Sequence, residues 1–543
     1  MDFNTKNEQN NKVKSKRNAA WYMGIVLFAA GLILILFLVR LAGNERKISQ
    51  PEEALFARKE EQKTEDETAE VHLFQKLEDL HLTGGIGEKY PLEDLSSGPK
   101  VLVFWASWCS YCKEELMQID AFADRIRGMG GEVLLVNKLD GTKETKEQAV
   151  RFLKENEIQT ETLFDENCDL YETLGLNMIP TVLFVDGKGR IVSMTEGSMP
   201  EAGQAEAMLE EAKTGKAEVL SKAMSHGLVN PEGGIRTNVK EDGAIPSGED
   251  VLSESQGILM EYAALAGKEE LFERLWGYTE EKLFAEGLMP WVISDKKTSE
   301  VNALIDDLRI ASALEINKNK SEEYQKAYKN YMESIYTYNS EGGELVDCYD
   351  VSAGQKADRF TLCYGDLRTL SKMAEEDGRY KQIYDNTLSC ILEGRISEKF
   401  PLYYSYYDYE KRKYEGERLN MSEELTTLLH LAEVGALPEE ALDWIEEKMN
   451  EGCIYAAYDM EGNPAKDGYY ESTAVYALVV MTALEAGRED IAGKAINRME
   501  QFRILDAYNE WNGLFGNSDG SGIYSFDQGM ALLAYELYER TTE

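Results

Sequence analysis

Two cysteines separated by two residues, at the junction of an apolar strand and an amphipathic helix, constrain this fold most. The run Lys100–Trp105 (KVLVFW) predicts a buried strand, and helical periodicity follows Trp108–Cys112 (WCSYC). At such a turn the sulfur of Cys109 lies at a helix N-terminus, where free N–H groups and the helix dipole favour thiolate over thiol. Cys112 lies a turn further on, where it can resolve a mixed disulfide. The spacing therefore predicts a thiol–disulfide exchange site.

Half of a zinc site is the alternative interpretation of this cysteine pair. Structural zinc needs four ligands, and no second C-x-x-C or pair of histidines lies nearby. His72 and His81 lie upstream in a polar stretch, and His226 lies downstream in another. We therefore expect a redox-active disulfide, with no metal and no other cofactor.

A proline motif roughly 70 residues downstream makes the pattern more specific. Asn177–Thr181 (NMIPT) runs into VLFVDGKGRI, which predicts a strand, a turn and a strand. Together with WCSYC it resembles thioredoxin-fold proteins, most of all the membrane-anchored, extracytoplasmic thiol–disulfide oxidoreductases of the TlpA/ResA type, over residues 85–213. The resemblance implies that Cys109 is the nucleophile, Cys112 the resolving thiol and a protein thiol or disulfide the partner.

The same resemblance assigns two supporting residues. Pro180 matches the family's cis-proline, which lies against the disulfide and helps to bind the backbone of the substrate. Glu115 matches an acidic residue that such reductases keep near the thiols. A carboxylate there raises thiol pKa values or relays a proton.

An uncharged stretch near the N-terminus predicts a membrane anchor. Residues 20–39 carry no charge, and as a helix they match a hydrocarbon core of about 30 Å. Five Lys or Arg residues precede the stretch, which favours a cytoplasmic N-terminus. A cleaved signal peptide is the alternative, but the run is long for one and lacks a clear A-x-A site. We expect a cytoplasmic tail over 1–19, a single transmembrane helix over 20–42, and an extracytoplasmic body at the cell membrane.

Charge and composition organise the rest of the chain. The net charge of −41 excludes a nucleic-acid binder that works through phosphate contacts. Residues 43–84 are rich in Glu, Lys and Gln and predict a stalk, and residues 216–245 are rich in Gly, Pro and charge and predict a linker. Two domains are therefore expected, over 85–215 and 246–543.

The second domain shows apolar residues at helical spacing and resembles a known hydrolase family. At least ten such segments follow residue 246, separated by loops rich in Gly and Asn, which predicts an all-α domain. Four stretches resemble, in order, motifs of the family 8 glycoside hydrolases, which are (α/α)6 barrels. They are Ser253–Met260 (SESQGILM), Phe272–Thr279 (FERLWGYT), Asp306–Ala311 (DDLRIA) and Cys363–Asp366 (CYGD). The fold class expected is multidomain: an N-terminal transmembrane helix, an α/β thioredoxin-like fold and an all-α (α/α)6-barrel-like domain.

Carried over by position, Glu254 corresponds to the family's general acid. An inverting glycosidase also needs a carboxylate that activates water from the other side of the sugar. The family's R-Y-D-A-x-R base motif is absent, and its place falls near Leu419–Glu424 (LNMSEE), which makes Glu423 the candidate base. The alternative for Glu254 is a helix N-terminal charge stabilised by the dipole.

Six further residues are candidates for binding sugar. They are Trp291, Asp306, Asp307, Tyr364, Tyr404 and Asp527. In the family's D-A-D motif the first Asp aligns with Ile305 and the second with Asp307, so Asp306 replaces the first by a one-residue shift. The aromatic rings are candidates for stacking on sugars, with ordinary core packing as the alternative. For Asp527 the alternative is a helix cap.

The sequence thus predicts two extracytoplasmic modules on one membrane anchor, in the setting of a bacterial envelope. The first is a thiol–disulfide oxidoreductase, and the second is an inverting β-glycan hydrolase that acts on a polysaccharide. The alternative is a redox-active protein whose helical domain is a catalytically degenerate glycan-binding scaffold. A gap of roughly 6.5 to 9.5 Å between the carboxyl group of Glu254 and that of its partner would favour the inverting hydrolase.

Overall fold

The computed structural model describes residues 71–77, 82–83, 98–240, 248–295 and 297–542. The predicted cytoplasmic tail (1–19), transmembrane helix (20–42) and most of the predicted stalk (43–84) lie outside these residues. Within the described ranges, no helix is both long enough and apolar enough to cross a membrane.

The first domain is built on a six-stranded mixed sheet within the described residues. Its strands are β1 Leu82–Thr83, β2 Lys100–Trp105, β3 Glu132–Leu139, β4 Thr162–Glu166, β5 Thr181–Val185 and β6 Ile191–Glu196. The order is β1-β4-β3-β2-β5-β6, with β2, β3 and β4 parallel and the other strands antiparallel to their neighbours. Strand β2 is central and fully buried, which explains why its sequence is apolar rather than alternating. The predicted thioredoxin-like fold is confirmed.

Helices cover both faces of this sheet. They are α1 Ser110–Leu116, α2 Ile119–Gly128, α3 Lys146–Glu155, α4 Asp169–Thr173 and α5 Ala202–Thr214. Val101 and Val103 of β2 point into a core shared with α1, α2 and α5. Leu102 and Phe104, which point the other way, belong to a core that continues into the second domain.

The second domain contains twelve helices in its described residues, alternately outer and inner. The outer helices are α6 Lys216–Gly227, α8 Glu269–Lys282, α10 Glu322–Tyr338, α12 Arg379–Glu393, α14 Glu439–Glu451 and α16 Glu489–Glu500. The inner helices are α7 Ser253–Leu265, α9 Leu304–Asn317, α11 Leu367–Glu376, α13 Met421–Ala432, α15 Thr473–Glu485 and α17 Ser525–Thr541. Each inner helix contacts the next, and α17 closes the ring on α7. This is the predicted (α/α)6 barrel.

The chain differs from the prediction between the two domains. The predicted linker (216–245) begins with helix α6, which packs on α17, and a single residue, Gly215, separates it from α5. Residues 71–77 of the predicted stalk are also packed, since Phe74 stacks on Tyr538 with ring centroids 4.8 Å apart. Both segments are polar in composition, but each buries enough apolar side chains to pack against the folded domains.

Buried charges lock the two domains together. The ammonium group of Lys216 lies 2.6 Å from the Glu211 carboxylate and 2.9 Å from that of Glu500. Arg503 lies 2.8 Å from Glu211 and donates a hydrogen bond to the Tyr535 hydroxyl at 2.7 Å. The side chains of Lys216, Glu211 and Arg503 are wholly buried. We call Glu211, Lys216, Glu500, Arg503 and Tyr535 the joint cluster.

Loop lengths distinguish the two ends of the barrel. The connections that enter inner helices are long: 228–252, 283–303, 339–366, 394–420, 452–472 and 501–524. Those that leave them are short: 266–268, 318–321, 377–378, 433–438 and 486–488. Because the inner helices run in the same direction, the long connections gather at the end where these helices begin, which we call the loop face.

Short strands and turns order the long connections. The strands are β7 Val251–Leu252, β8 Val292–Ile293, β9 Ser340–Glu341, β10 Glu344–Leu345, β11 Tyr349–Asp350, β12 Gln355–Lys356, β13 Arg359–Thr361, β14 Tyr406–Asp408, β15 Lys413–Glu415, β16 Arg418–Asn420 and β17 Ala457–Asp459. Two 3-10 turns lie at Leu362–Tyr364 and Lys466–Gly468.

Candidate functional site

The cysteine pair lies where the sequence predicts, at the start of α1. Cys109 is the N-cap, and its Sγ accepts a hydrogen bond from the Cys112 N–H at 3.1 Å. The Cys109 thiol also lies 3.6 Å from the carbonyl oxygen of Ile179. The peptide bond from Ile179 to Pro180 is cis, as predicted. The proline segment therefore lies directly against the outer sulfur.

The two sulfurs differ in environment. Cys109 is 6% exposed, whereas Cys112 is 0% exposed. Burial raises the pKa of Cys112, and its hydrogen bond with Cys109 adds to the rise. Glu115 lies one turn beyond Cys112 on the same helix and is partly exposed. Cys168 is buried elsewhere in the domain, and burial raises the pKa of its thiol to about 11.

A buried carboxylate that the sequence did not reveal anchors the loop before the cysteines. Glu144 is 0% exposed and accepts hydrogen bonds from the Ser107 N–H at 2.9 Å and the Ser107 hydroxyl at 2.7 Å. The side-chain amide of Asn137 donates a third bond at 2.9 Å. Glu144 lies between β3 and α3 with no motif around it, so only the tertiary structure identifies it.

In the barrel, five predicted acidic residues lie in the first turns of inner helices at the loop face. They are Glu254 on α7, Asp306 and Asp307 on α9, Glu423 on α13 and Asp527 on α17. Helices α7 and α13 are three positions apart in a ring of six described inner helices. Glu254 and Glu423, both half-buried, therefore belong to opposite sides of the ring.

Glu423 is the more available carboxylate of an adjacent pair. Glu424 is 2% exposed and accepts a hydrogen bond from the Tyr403 N–H at 2.9 Å. Burial raises the pKa of Glu423 to about 7; the charges of Arg359 and Arg418 oppose this rise and that of Asp347 adds to it. Among the described residues, no hydrogen bond reaches the carboxylate of Glu423.

The structure separates the predicted pair Asp306 and Asp307. Asp306 accepts a hydrogen bond from the hydroxyl of Ser253, the residue before Glu254, and burial raises its pKa to about 6. Asp307 is 0% exposed and accepts bonds from the Met289 N–H and the Asn302 side chain. Burial raises its pKa to about 8. The prediction that Asp307 contacts sugar is therefore wrong, because its carboxylate is buried and accepts hydrogen bonds from the connection before α9.

Two predicted aromatic residues lie near these carboxylates. The carbonyl of Trp291 accepts a hydrogen bond from the Ser253 N–H at 3.2 Å, which places Trp291 beside Glu254. Tyr364 is partly exposed; burial raises its pKa, and the nearby charges of Asp347, Asp306 and Glu423 are among those that add to the rise.

Tyr404 and Asp527 have structural partners. The Tyr404 ring stacks on Tyr414 with centroids 6.1 Å apart. Asp527 is 8% exposed and accepts bonds from the Ser472 hydroxyl at 2.9 Å and the Ala474 N–H at 3.0 Å. It therefore bonds the start of the neighbouring inner helix α15, whereas the N-cap of its own helix is Tyr524.

Asp347 is a further carboxylate near the cleft that the sequence did not reveal. It is 6% exposed, lies in the connection before α11, and accepts bonds from Arg359 at 2.9 Å and from the Thr361 hydroxyl at 2.8 Å. Its charge acts on both Tyr364 and Glu423. Four carboxylates thus surround the loop face: Glu254, Asp306, Asp347 and Glu423.

Comparison with known proteins matches both domains. The AhpC/TSA family matches residues 74–194. The thiol-disulfide oxidoreductase ResA of Bacillus subtilis is 24% identical over 116 residues, which cover 21% of this chain and 63% of ResA, less than two thirds of its length. The putative lipoprotein YdaJ of Bacillus subtilis is 30% identical over 318 residues, which cover 57% of this chain and 83% of YdaJ. The chain belongs to the YdaJ family.

Solved structures resemble this YdaJ-family chain over its larger part. A structure described as a novel alpha-amylase from Clostridium perfringens is 32% identical, with a TM-score of 0.56, and covers 60% of this chain and 97% of its own. Endoglucanase Cel10 of Klebsiella pneumoniae, a family 8 glycosyl hydrolase, is 15% identical with a TM-score of 0.41 over 52% of this chain and 96% of its own. The predicted combination of a ResA-like thioredoxin-fold domain with a glycoside hydrolase-like domain is confirmed.

Proposed function

We propose that this protein is a membrane-anchored, extracytoplasmic enzyme that exchanges disulfides through Cys109 and Cys112 and hydrolyses a polysaccharide in its barrel. The observation that carries the hydrolase proposal is the position of Glu254 and Glu423 at the starts of opposite inner helices on the loop face. Carboxylates on two sides of a cleft are what glycosidic cleavage requires.

Each carboxylate has a distinct role in the proposed reaction. Glu254 donates a proton to the glycosidic oxygen as the bond to the anomeric carbon breaks. Glu423 removes a proton from a water molecule that attacks this carbon from the opposite face, so the configuration inverts. A base with a pKa of about 7 is largely ionised above neutrality and still basic enough to take the proton.

The neighbours of these two residues suit sugar binding. Asp306, next to the Ser253–Glu254 pair, is positioned to accept hydrogen bonds from sugar hydroxyl groups. Trp291 and Tyr364 offer rings on which sugar faces can stack. The resemblance to family 8 favours a β-1,4-linked glycan as the substrate. Because the Clostridium perfringens structure is described as an alpha-amylase, α-1,4-glucan is a second candidate substrate.

The proposed redox reaction uses the two cysteines in sequence. The Cys109 thiolate attacks a sulfur of a partner disulfide, which forms a mixed disulfide and releases one partner thiolate. Cys112, once deprotonated, attacks the Cys109 sulfur, so the partner leaves reduced and the Cys109–Cys112 disulfide forms. The exposed side chains of Trp108, Tyr111 and Met178 provide an apolar surface for a protein partner beside this site.

Membrane anchoring belongs to the same proposal. It rests on the uncharged run over residues 20–39 and on the basic residues before it. The relative YdaJ is described as a putative lipoprotein, which agrees with attachment to a membrane surface.

The hydrolase proposal is tested with the full chain on β-1,4-glucan, chitosan, xylan and α-1,4-glucan oligomers. Glu254→Gln is compared with Glu323→Gln, a matched change in the first turn of the outer helix α10. We expect release of reducing ends by wild type and Glu323→Gln and a loss of at least about 100-fold in Glu254→Gln, as for a general acid. Equal rates in the two variants would contradict the assigned role of Glu254.

A glycan-binding scaffold is the second candidate function. Ile305 stands where the family 8 motif has its first Asp, and the family's base motif is absent. Binding of an oligomer without cleavage, at equal affinity in Glu254→Gln, would favour the scaffold. Disulfide exchange would then be the only reaction of the chain.

A further inference from the structure

A second cluster of ligand-type side chains lies in the barrel between inner helices α11 and α13. It consists of Asp366, the N-cap of α11, His430 in the last turn of α13, and Glu433, the residue that ends α13. One ligand atom from each lies within 4.8 Å of the others. His430 and Glu433 lie at the end of α13, whereas Glu423 of the proposed cleft lies in the first turn of that helix; Asp366 meets them from the start of α11.

The histidine of this cluster is incompletely bonded. His430 is 6% exposed, and its Nδ1 lies 3.2 Å from a carboxylate oxygen of Glu433. Its Nε2 is buried and has no hydrogen-bond partner in the described part of the chain. A buried ring nitrogen without a partner is costly, and buried polar groups are normally satisfied.

The cluster also carries excess negative charge. Arg368 lies 3.0 Å from Glu433 and 3.6 Å from each of Glu261 and Glu485. Together with Asp366, these are four carboxylates around Arg368; Arg309, whose charge also acts on Glu261, is itself paired with Asp306 at 3.8 Å. A bound cation would restore the balance.

We propose that Asp366, His430 and Glu433 bind a divalent first-row transition-metal ion, of which Zn²⁺ is the best match. One imidazole nitrogen and two carboxylates are donors that Zn²⁺ accepts, whereas Mg²⁺ and Ca²⁺ prefer oxygen ligands alone. The ion ties the start of α11 to the end of α13. Its role is structural, and it does not depend on the proposed hydrolase activity.

The test is calorimetric titration of Zn²⁺ into the full chain after removal of metals with a chelator. The background carries Cys109→Ser and Cys112→Ser, so that the dithiol does not bind the ion. We expect one site per chain, with affinity lowered at least about tenfold by His430→Gln and by Asp366→Asn. His226→Gln, which changes an exposed histidine on α6, is the matched control and should leave the affinity unchanged.

Arg368 provides a readout that a purely structural cluster would not give. Arg368→Gln removes the guanidinium that competes for Glu433, so Zn²⁺ should bind at least as tightly as in wild type. No saturable binding, or equal binding in wild type and His430→Gln, overturns the proposal. If the variants fail to fold, anomalous scattering from wild-type crystals grown with Zn²⁺ decides: a peak between the three residues supports the site, and peaks only elsewhere overturn it.

Discussion

Lys216 is the centre of the joint cluster, and replacing it with Met should destabilise the whole chain. Its ammonium group lies between Glu211, at 2.6 Å, and Glu500, at 2.9 Å, and its side chain is 0% exposed. Arg503 still balances Glu211 in the variant, at 2.8 Å. Glu500 retains the Tyr535 hydroxyl and the more distant charge of Arg503 but loses its directly bonded cation. One largely buried carboxylate is therefore left without an ion pair.

The size of the effect follows from that unbalanced charge. Removing one partner of a buried ion pair costs about 3–5 kcal/mol, because the remaining charge stays desolvated. Met keeps most of the apolar stem of Lys216, so little packing is lost with the charge. Since folded proteins are stable by only about 5–15 kcal/mol, Lys216→Met should remove a large fraction of the free energy of unfolding.

Urea unfolding followed by tryptophan fluorescence measures this loss. Lys381→Met is the matched control, because Lys381 pairs with Asp385 at 2.6 Å while the two side chains are 66% and 53% exposed. An exposed pair of this kind contributes about 0–1 kcal/mol. If both variants unfold at the same urea concentration as wild type, the joint cluster does not hold the domains together as argued.

Three further predictions concern the reactive groups. Cys112→Ser should accumulate a mixed disulfide through Cys109 when it is given a partner disulfide or a model disulfide substrate, whereas Cys109→Ser should not; mass spectrometry under non-reducing conditions distinguishes them. Glu144→Ala leaves the Ser107 N–H without its acceptor, which should cost about 1–3 kcal/mol in urea unfolding and change the alkylation rate of Cys109; an unchanged stability would contradict the anchoring role. Glycan hydrolysis should rise from pH 6 to pH 8, because burial raises the pKa of Glu423 to about 7 and the base must be ionised; a flat kcat/KM profile over this range would exclude Glu423 as the base.

The dithiol site could be predicted almost completely from sequence because its signals are local. The strand Lys100–Trp105, the turn with Cys109 and Cys112, and the segment around Pro180 each carry their own pattern. Glu144 could not be predicted in the same way. Its side chain reaches Ser107 across 37 positions of the chain, through a contact that only the folded sheet creates.

In the barrel, the spacing of apolar residues along the sequence predicts most helices but not which acidic side chains face the cleft. Adjacent residues on a helix point about 100° apart, so only one of Asp306 and Asp307 can face the cleft, and the motif alignment alone did not decide which. The polar composition of residues 216–245 concealed helix α6, which packs on α17 and buries Ala217, Leu220 and Met224. Asp347 lies in a long connection, where its proximity to Glu423 depends on how that loop folds.

The configuration of the first hydrolysis product shows whether Glu254 and Glu423 act as the acid and base of an inverting enzyme. Proton NMR during early turnover reports whether the new reducing end has the same anomeric configuration as the bond that was cut. With water activated by Glu423 opposite Glu254, we predict the inverted anomer, and no product from Glu423→Gln. A retained anomer, or cleavage that survives Glu423→Gln, would contradict the assignment of the two carboxylates.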